Sequence, residues 1–252
     1  MDIGDIILPS IALILGVFTS GVFVVWWLQH RNRRSANALI LWAIALFLMY
    51  WFQVPAILIG FGKVITVTKF NLLFAFTFPM VLLALILVYI GILQISGKKL
   101  WKKQKIALSV WFFSALVFFG YHFILNGGII QTYFLPLGGN IAFYLIIRIL
   151  IIFALIRLLY RVEMRTLYGV LGASALITEG FLGLARNFFI IDKVLAYPPE
   201  LWYLHMAQSQ FLFITQTMSI ILFVIGFYFL HLVYHGRRER NLIQANEGTL
   251  KT

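Results

Sequence analysis

The chain has 252 residues, 62% of them hydrophobic and only 11% charged, where a soluble domain carries about a quarter charged. The formal net charge is +12, and the absence of cysteine excludes disulfides, thiolate metal sites and a cysteine nucleophile. No polar stretch has room for a soluble catalytic, kinase or DNA-binding domain. The expectation is therefore an all-α polytopic membrane protein, with residues 1–235 as one seven-helix domain and 236–252 as a short basic tail.

Apolar runs of about 20 residues are long enough to cross a hydrocarbon core. The first, Ile6–Gln29, follows M-D-I-G-D-I-I. It has no basic region and no clear cleavage site, so it reads as a retained span rather than a signal peptide. The second, Ala36–Gly60, follows the basic break H-R-N-R-R-S, and the third, Phe70–Ile95, follows G-K-V-I-T-V-T-K. The fourth, Ile106–Leu125, comes after S-G-K-K-L-W-K-K-Q-K, and the fifth, Pro136–Tyr160, after N-G-G-I-I-Q-T. The sixth, Thr166–Ile190, follows R-V-E-M-R, and the seventh, Leu201–Tyr234, follows D-K-V-L-A-Y-P-P-E. The last run exceeds what a bilayer needs and is predicted to tilt or project from one face.

Lysine and arginine in short loops set the orientation. Fifteen of these bases fall in the breaks after spans one, three and five and in the C-terminal tail. Four fall on the other side, and Arg148 lies within a span. The N-terminus is thus expected outside and the C-terminus in the cytoplasm, in a multi-pass cell-membrane protein (the inner membrane if bacterial). The excess charge then belongs to the inner face, where anionic lipid headgroups are the expected partners rather than nucleic acid.

Ionisable groups at membrane depth are costly and mark function or a structural pair. Asn140, Tyr144 and Arg148 recur at four-residue spacing in span five and share a helix face. Glu179 lies about midway along span six, at a depth similar to that of Arg148. Consecutive antiparallel helices bring the two together as an ion pair, which is either a structural lock or a functional site. Gly172, Ala175, Glu179, Gly183 and Arg186 share one face, whose small residues favour close helix packing. If Arg186 also turns inward, the positive charge is in surplus and suits an anionic ligand; the alternative is that it snorkels to the outer surface.

Span seven carries a polar stripe of His205, Gln208, Ser209, Thr215, Gln216 and Ser219, expected to face the interior as interhelical glue or as a ligand lining. Tyr50, Gln53, Tyr121 and His122 are further polar groups in the outer halves of spans two and four. Pro55 and Pro79 are helix-kinking positions at comparable depth. The outer half of the bundle is the candidate ligand site. Its expected lining is Arg148, Glu179, Arg186, Tyr144, Asn140, Gln53, His122, His205, Gln208 and Gln216.

No cofactor is expected. A covalent retinal is excluded because no lysine lies between Leu201 and His235. Haem needs two imidazoles at equal depth on facing helices. His122 with His205 near the outer face, or His30, His231 and His235 near the inner face, keep it as a lesser alternative. There is no Gly-rich phosphate loop, no H-E-x-x-H and no carboxylate-rich metal cluster in the sequence, and an enzyme is not expected.

The stretches R-N-R-R-S-A-N-A-L-I-L-W-A (31–43) and F-P-M-V-L-L-A-L-I-L-V-Y-I-G (78–91) resemble the seven-helix membrane sensor modules at the N-terminus of many bacterial histidine kinases. The resemblance implies seven spans, an outside N-terminus and sensing coupled to an effector. With about 17 residues after span seven, that effector is expected to be a separate protein partner. The leading expectation is a receptor-like or sensory bundle binding a small, anionic or amphipathic ligand. The alternatives are a proton- or ion-coupled transporter or channel using Glu179, and a structural or haem-carrying subunit of a larger complex.

Overall fold

The computed structural model describes residues 4–31, 36–50, 53–60, 67–96, 101–125, 137–161, 164–198 and 209–249. Every regular element among them is helical. In chain order they are α1 (Gly4–His30), α2 (Asn37–Tyr50), α3 (Gln53–Gly60), α4 (Val67–Ile95) and α5 (Lys102–Leu125). A π-helical segment (Gly139–Leu145) then runs directly into α6 (Ile146–Leu159), followed by α7 (Leu167–Ala196) and α8 (Gln210–Thr249). Six stretches are long and apolar enough to cross a membrane: Ile6–His30, Thr77–Ile95, Lys102–His122, Gly139–Leu159, Leu167–Ala196 and Gln210–Val233. The molecule is a multi-pass helical membrane protein.

The second apolar run is helical over Asn37–Tyr50 and over Gln53–Gly60, and residues 51 and 52 between them lie outside the described residues. Pro55 lies in the first turn of α3. Pro79, by contrast, sits inside α4.

Two boundaries also differ from the sequence reading. Helix α7 continues six residues past the expected end of the sixth run, to Ala196. Its start is capped by the Thr166 hydroxyl, which accepts from the Gly169 N–H at 3.2 Å. Helix α8 continues through most of the expected tail to Thr249, and its 40 residues extend about 60 Å. It is much longer than a bilayer is thick because it takes in residues expected to form the tail, while residues 201–208 of the expected run lie outside the described residues.

Helix–helix contacts close a ring: α1 packs on α2, α2 on α4, α4 on α6, α6 on α7, α7 on α8, and α8 on α1. Helix α5 packs outside the ring against α4, and α3 against α1. The core between α1, α2, α4 and α8 is aromatic and aliphatic. Trp42 stacks on Phe227 at 3.9 Å between ring centroids, and Leu46, Leu82, Leu85 and Phe223 are fully enclosed around it.

Helix α5 shows what the outside is for. Ile106, Val110, Phe113, Val117 and Ile124 recur at three-, four- and seven-residue steps and are all more than half exposed. Such a stripe is lipid-facing surface in a membrane helix. Between α7 and α8 the backbones nearly touch. A Cβ on Gly172 would lie 3.0 Å from the Gly226 carbonyl oxygen, so both positions require the absence of a side chain.

Candidate functional site

Inside the ring, a polar cluster interrupts the apolar core. Arg148 projects from α6, Glu179 and Arg186 from α7, and Thr215 and Ser219 from α8. Glu179 is 2% exposed, Arg148 5% and Arg186 6%. A single carboxylate oxygen, Glu179 Oε1, accepts from three donors. Arg148 Nη1 lies 3.4 Å away, Arg186 Nη2 3.1 Å and the Ser219 hydroxyl 3.1 Å. Arg186 Nη1 also donates to the Thr215 carbonyl at 2.7 Å and to Ser219 Oγ at 2.5 Å. The Ser219 hydroxyl therefore relays between the two charges of α7, accepting from one and donating to the other.

Local sequence explains how these groups reach one point. Glu179 and Arg186 are seven residues apart, two helical turns, so they lie on the same face of α7. Gly183 lies between them on that face, and a Cβ there would collide with the Arg148 guanidinium. This glycine is the slot through which the arginine of α6 reaches the carboxylate of α7. Two guanidiniums and one carboxylate give the cluster a formal charge of +1 in a setting of low dielectric. Removing one partner of a buried ion pair costs about 3–5 kcal/mol, because it leaves an uncompensated charge.

Further polar groups surround the three. The Tyr50 phenol, at the end of α2, is within electrostatic range of Arg186, Glu179 and Arg148, and its ring packs on Gly16 of α1. Tyr144 is within range of Arg148 and donates to the Phe78 carbonyl of α4 at 2.5 Å. Gln53 of α3 donates through its amide to the Gln216 side chain of α8, one residue from Thr215. Asn140 is fully buried at the start of the π-helical segment. Arg148 Nε, Tyr50 Oη, Gln53 Oε1 and Asn187 Nδ2 are buried with no hydrogen-bond partner among the described residues, as are Trp27 Nε1 and Gln94 Oε1 elsewhere in the bundle. Buried polar groups are ordinarily paired, so unpaired atoms beside a charged cluster point to a site.

The structure thus brings together Arg148, Glu179 and Arg186 of the expected lining, with Tyr144 in range of Arg148; Gln53 and Gln216 pair with each other, and Asn140 is buried two turns before Arg148. Arg186 turns inward, and the surface-snorkelling alternative is overturned by its ion pair. His122 is placed differently. It is half-buried on α5, outside the ring, where its ring meets Phe118 and Tyr121 edge to face at 4.6 and 5.6 Å. His205 and Gln208 lie outside the described residues. Among the other imidazoles, His231 stacks on Trp26 at 5.8 Å and meets His30 of α1 at 5.6 Å.

Sequence reasoning missed Asn187 and the role of Gly183. Asn187 follows Arg186 directly and stands four residues from Gly183, one turn along the packed face, a spacing that would have flagged it. Gly183 read as one more small packing residue because nothing local shows that a guanidinium crosses it. Among the described residues no group of three His, Asp or Glu side chains has the placement of a metal site. No family model, curated protein or solved structure matches this chain.

Proposed function

We propose that this protein is a receptor-like membrane sensor that binds a small anionic or amphipathic ligand through the Arg148–Glu179–Arg186 cluster. The observation that carries this reading is the surplus positive charge: one carboxylate shared by two guanidiniums, all three enclosed by helices. A ligand carboxylate, phosphate or sulfonate neutralises that charge where the bundle alone does not. The unpaired Arg148 Nε and Asn187 Nδ2 supply two more donors. In this reading α2 and α3 together make the second of seven spans. The N-terminus is outside by the lysine and arginine bias, and the ligand enters the outer half. Support for that side comes from Arg186, about 15 Å from the end of α7, and from Thr215 in the second turn of α8. A separate partner protein at the basic inner face receives the signal.

The test is thermal unfolding of the purified protein in neutral detergent, with decanoate, decyl phosphate and decyl sulfonate as probes and decanol as the uncharged control. At least one anionic amphiphile is expected to raise the midpoint of the wild type while decanol leaves it unchanged. The gain is expected to vanish in Arg186→Gln and Arg148→Gln. An equal gain in those variants, or no gain from any anion, overturns the assignment.

A further inference from the structure

A second feature lies at the opposite end of the bundle from the α7–α8 turn. Helices α4 and α6 pack together, and α5 leans on α4 and on the π-helical segment. Where α4 ends, α5 begins and α6 ends, a cavity of about 750 Å³ opens between the three. One wall is apolar, with Leu93 of α4 and Leu150 and Phe153 of α6. Its rim carries Trp101, Arg157 and Arg161, and none of the lining residues is acidic. Arg161 is anchored by donating to the Ser96 carbonyl at the end of α4. Arg157 is exposed and pairs with no carboxylate among the described residues. Lys102, Lys103 and Lys105 are exposed in the first turn of α5 beside it.

The cavity is continuous with the lipid-facing surface, since Phe153 is 66% exposed and Trp101 74%. An apolar cleft open to hydrocarbon, with two arginines and an interfacial tryptophan at its mouth, has the two-part chemistry of a phospholipid. Phosphate suits the planar donors of Arg157 and Arg161, and an acyl chain suits Leu93, Leu150 and Phe153. A soluble phosphate satisfies only the rim and leaves the apolar wall uncovered, and a neutral lipid leaves the rim charge uncompensated. We infer that this cleft is a binding site for one anionic glycerophospholipid, its phosphate held by Arg157 and Arg161 and one acyl chain lying between α4 and α6. The site is separate from the buried Arg148–Glu179–Arg186 cluster and does not depend on it.

Native mass spectrometry of protein released from nanodiscs tests this. One set of discs is made of phosphatidylcholine alone, and the other has phosphatidylglycerol added. One phosphatidylglycerol is expected to stay bound to the wild type in preference to phosphatidylcholine. Its retention is expected to fall about fivefold in Arg157→Gln, the factor that one basic residue contributes at an anionic lipid surface. Ala154→Phe fills the cavity without changing its charge and is expected to lose the lipid as well, which keeps the test open if Arg157→Gln does not fold. Lys193→Gln, at the other end of the bundle, is expected to retain the lipid as the wild type does. Soluble glycerol phosphate is expected not to displace it. Equal retention in both cavity variants, or displacement by glycerol phosphate, overturns the proposal.

Discussion

At the scale of single residues, Glu179 decides the electrostatics of the interior. It is the one carboxylate shared by Arg148 and Arg186, so its loss leaves two facing cations rather than a neutral pair. Glu179→Gln is expected to cost about 3–5 kcal/mol. Arg148→Gln leaves the closer Arg186–Glu179 pair intact and is expected to cost less than half as much. Ranking the two by denaturant unfolding in detergent checks this, and a milder effect for Glu179→Gln than for Arg148→Gln would refute the shared-carboxylate account. Gly183 gives a second residue-scale prediction. A methyl there displaces the Arg148 guanidinium, so Gly183→Ala is expected to destabilise by about 1–3 kcal/mol. Gly21 on α1 has open space around it, and Gly21→Ala is expected to be neutral or to add up to about 1 kcal/mol of helix propensity.

At the scale of elements, the pairing of α7 with α8 rests on backbone proximity. Gly172 and Gly226 face each other across the interface, and a Cβ on Gly226 would also meet the Leu176 side chain. Packing of this kind replaces the hydrophobic driving force that helices lack within lipid. Gly172→Leu is expected to part α7 from α8 and thereby separate Glu179 from Ser219. Because the chain has no cysteine, a pair introduced at Tyr168 and Phe229, whose rings stack across this interface at 5.7 Å between centroids, reports only on this contact when bridged by a short thiol-reactive cross-linker. A pair that bridges in the wild-type background is expected to fail in Gly172→Leu, and unchanged bridging would show that the interface does not depend on the glycines. The π-helical segment belongs to the same scale. It carries Asn140 and Tyr144 into the interior immediately before Arg148, and such widened turns frequently lie at functional sites.

At the scale of the whole molecule, the ring of six packed helices explains why so apolar a chain tolerates charge inside it. Its outer surface presents Phe113, Val117 and Phe153 to lipid, while the polar side chains converge where water and lipid are both excluded. The proposed orientation makes a direct prediction. A membrane-impermeant maleimide applied to intact cells is expected to label Lys193→Cys and to leave Lys103→Cys unlabelled until the membrane is opened. The reverse pattern would invert the bundle and with it the side from which a ligand enters.

That the chain is helical and multi-pass was legible in the order of its residues. Runs of apolar residues as long as a bilayer is thick leave the backbone no other way to satisfy its hydrogen bonds. That order also marked Arg148 and Glu179 as partners, because consecutive antiparallel helices place residues of equal depth side by side. The inward turn of Arg186 emerged from helix packing, since snorkelling and pairing are equally open to a long side chain until the neighbouring helix is known. That packing likewise left His122 outside the ring and made Gly183 a passage for a guanidinium. Each of these depends on which helices meet and at what rotation. Helices that are apolar almost all round carry too little amphipathic pattern to announce that in advance.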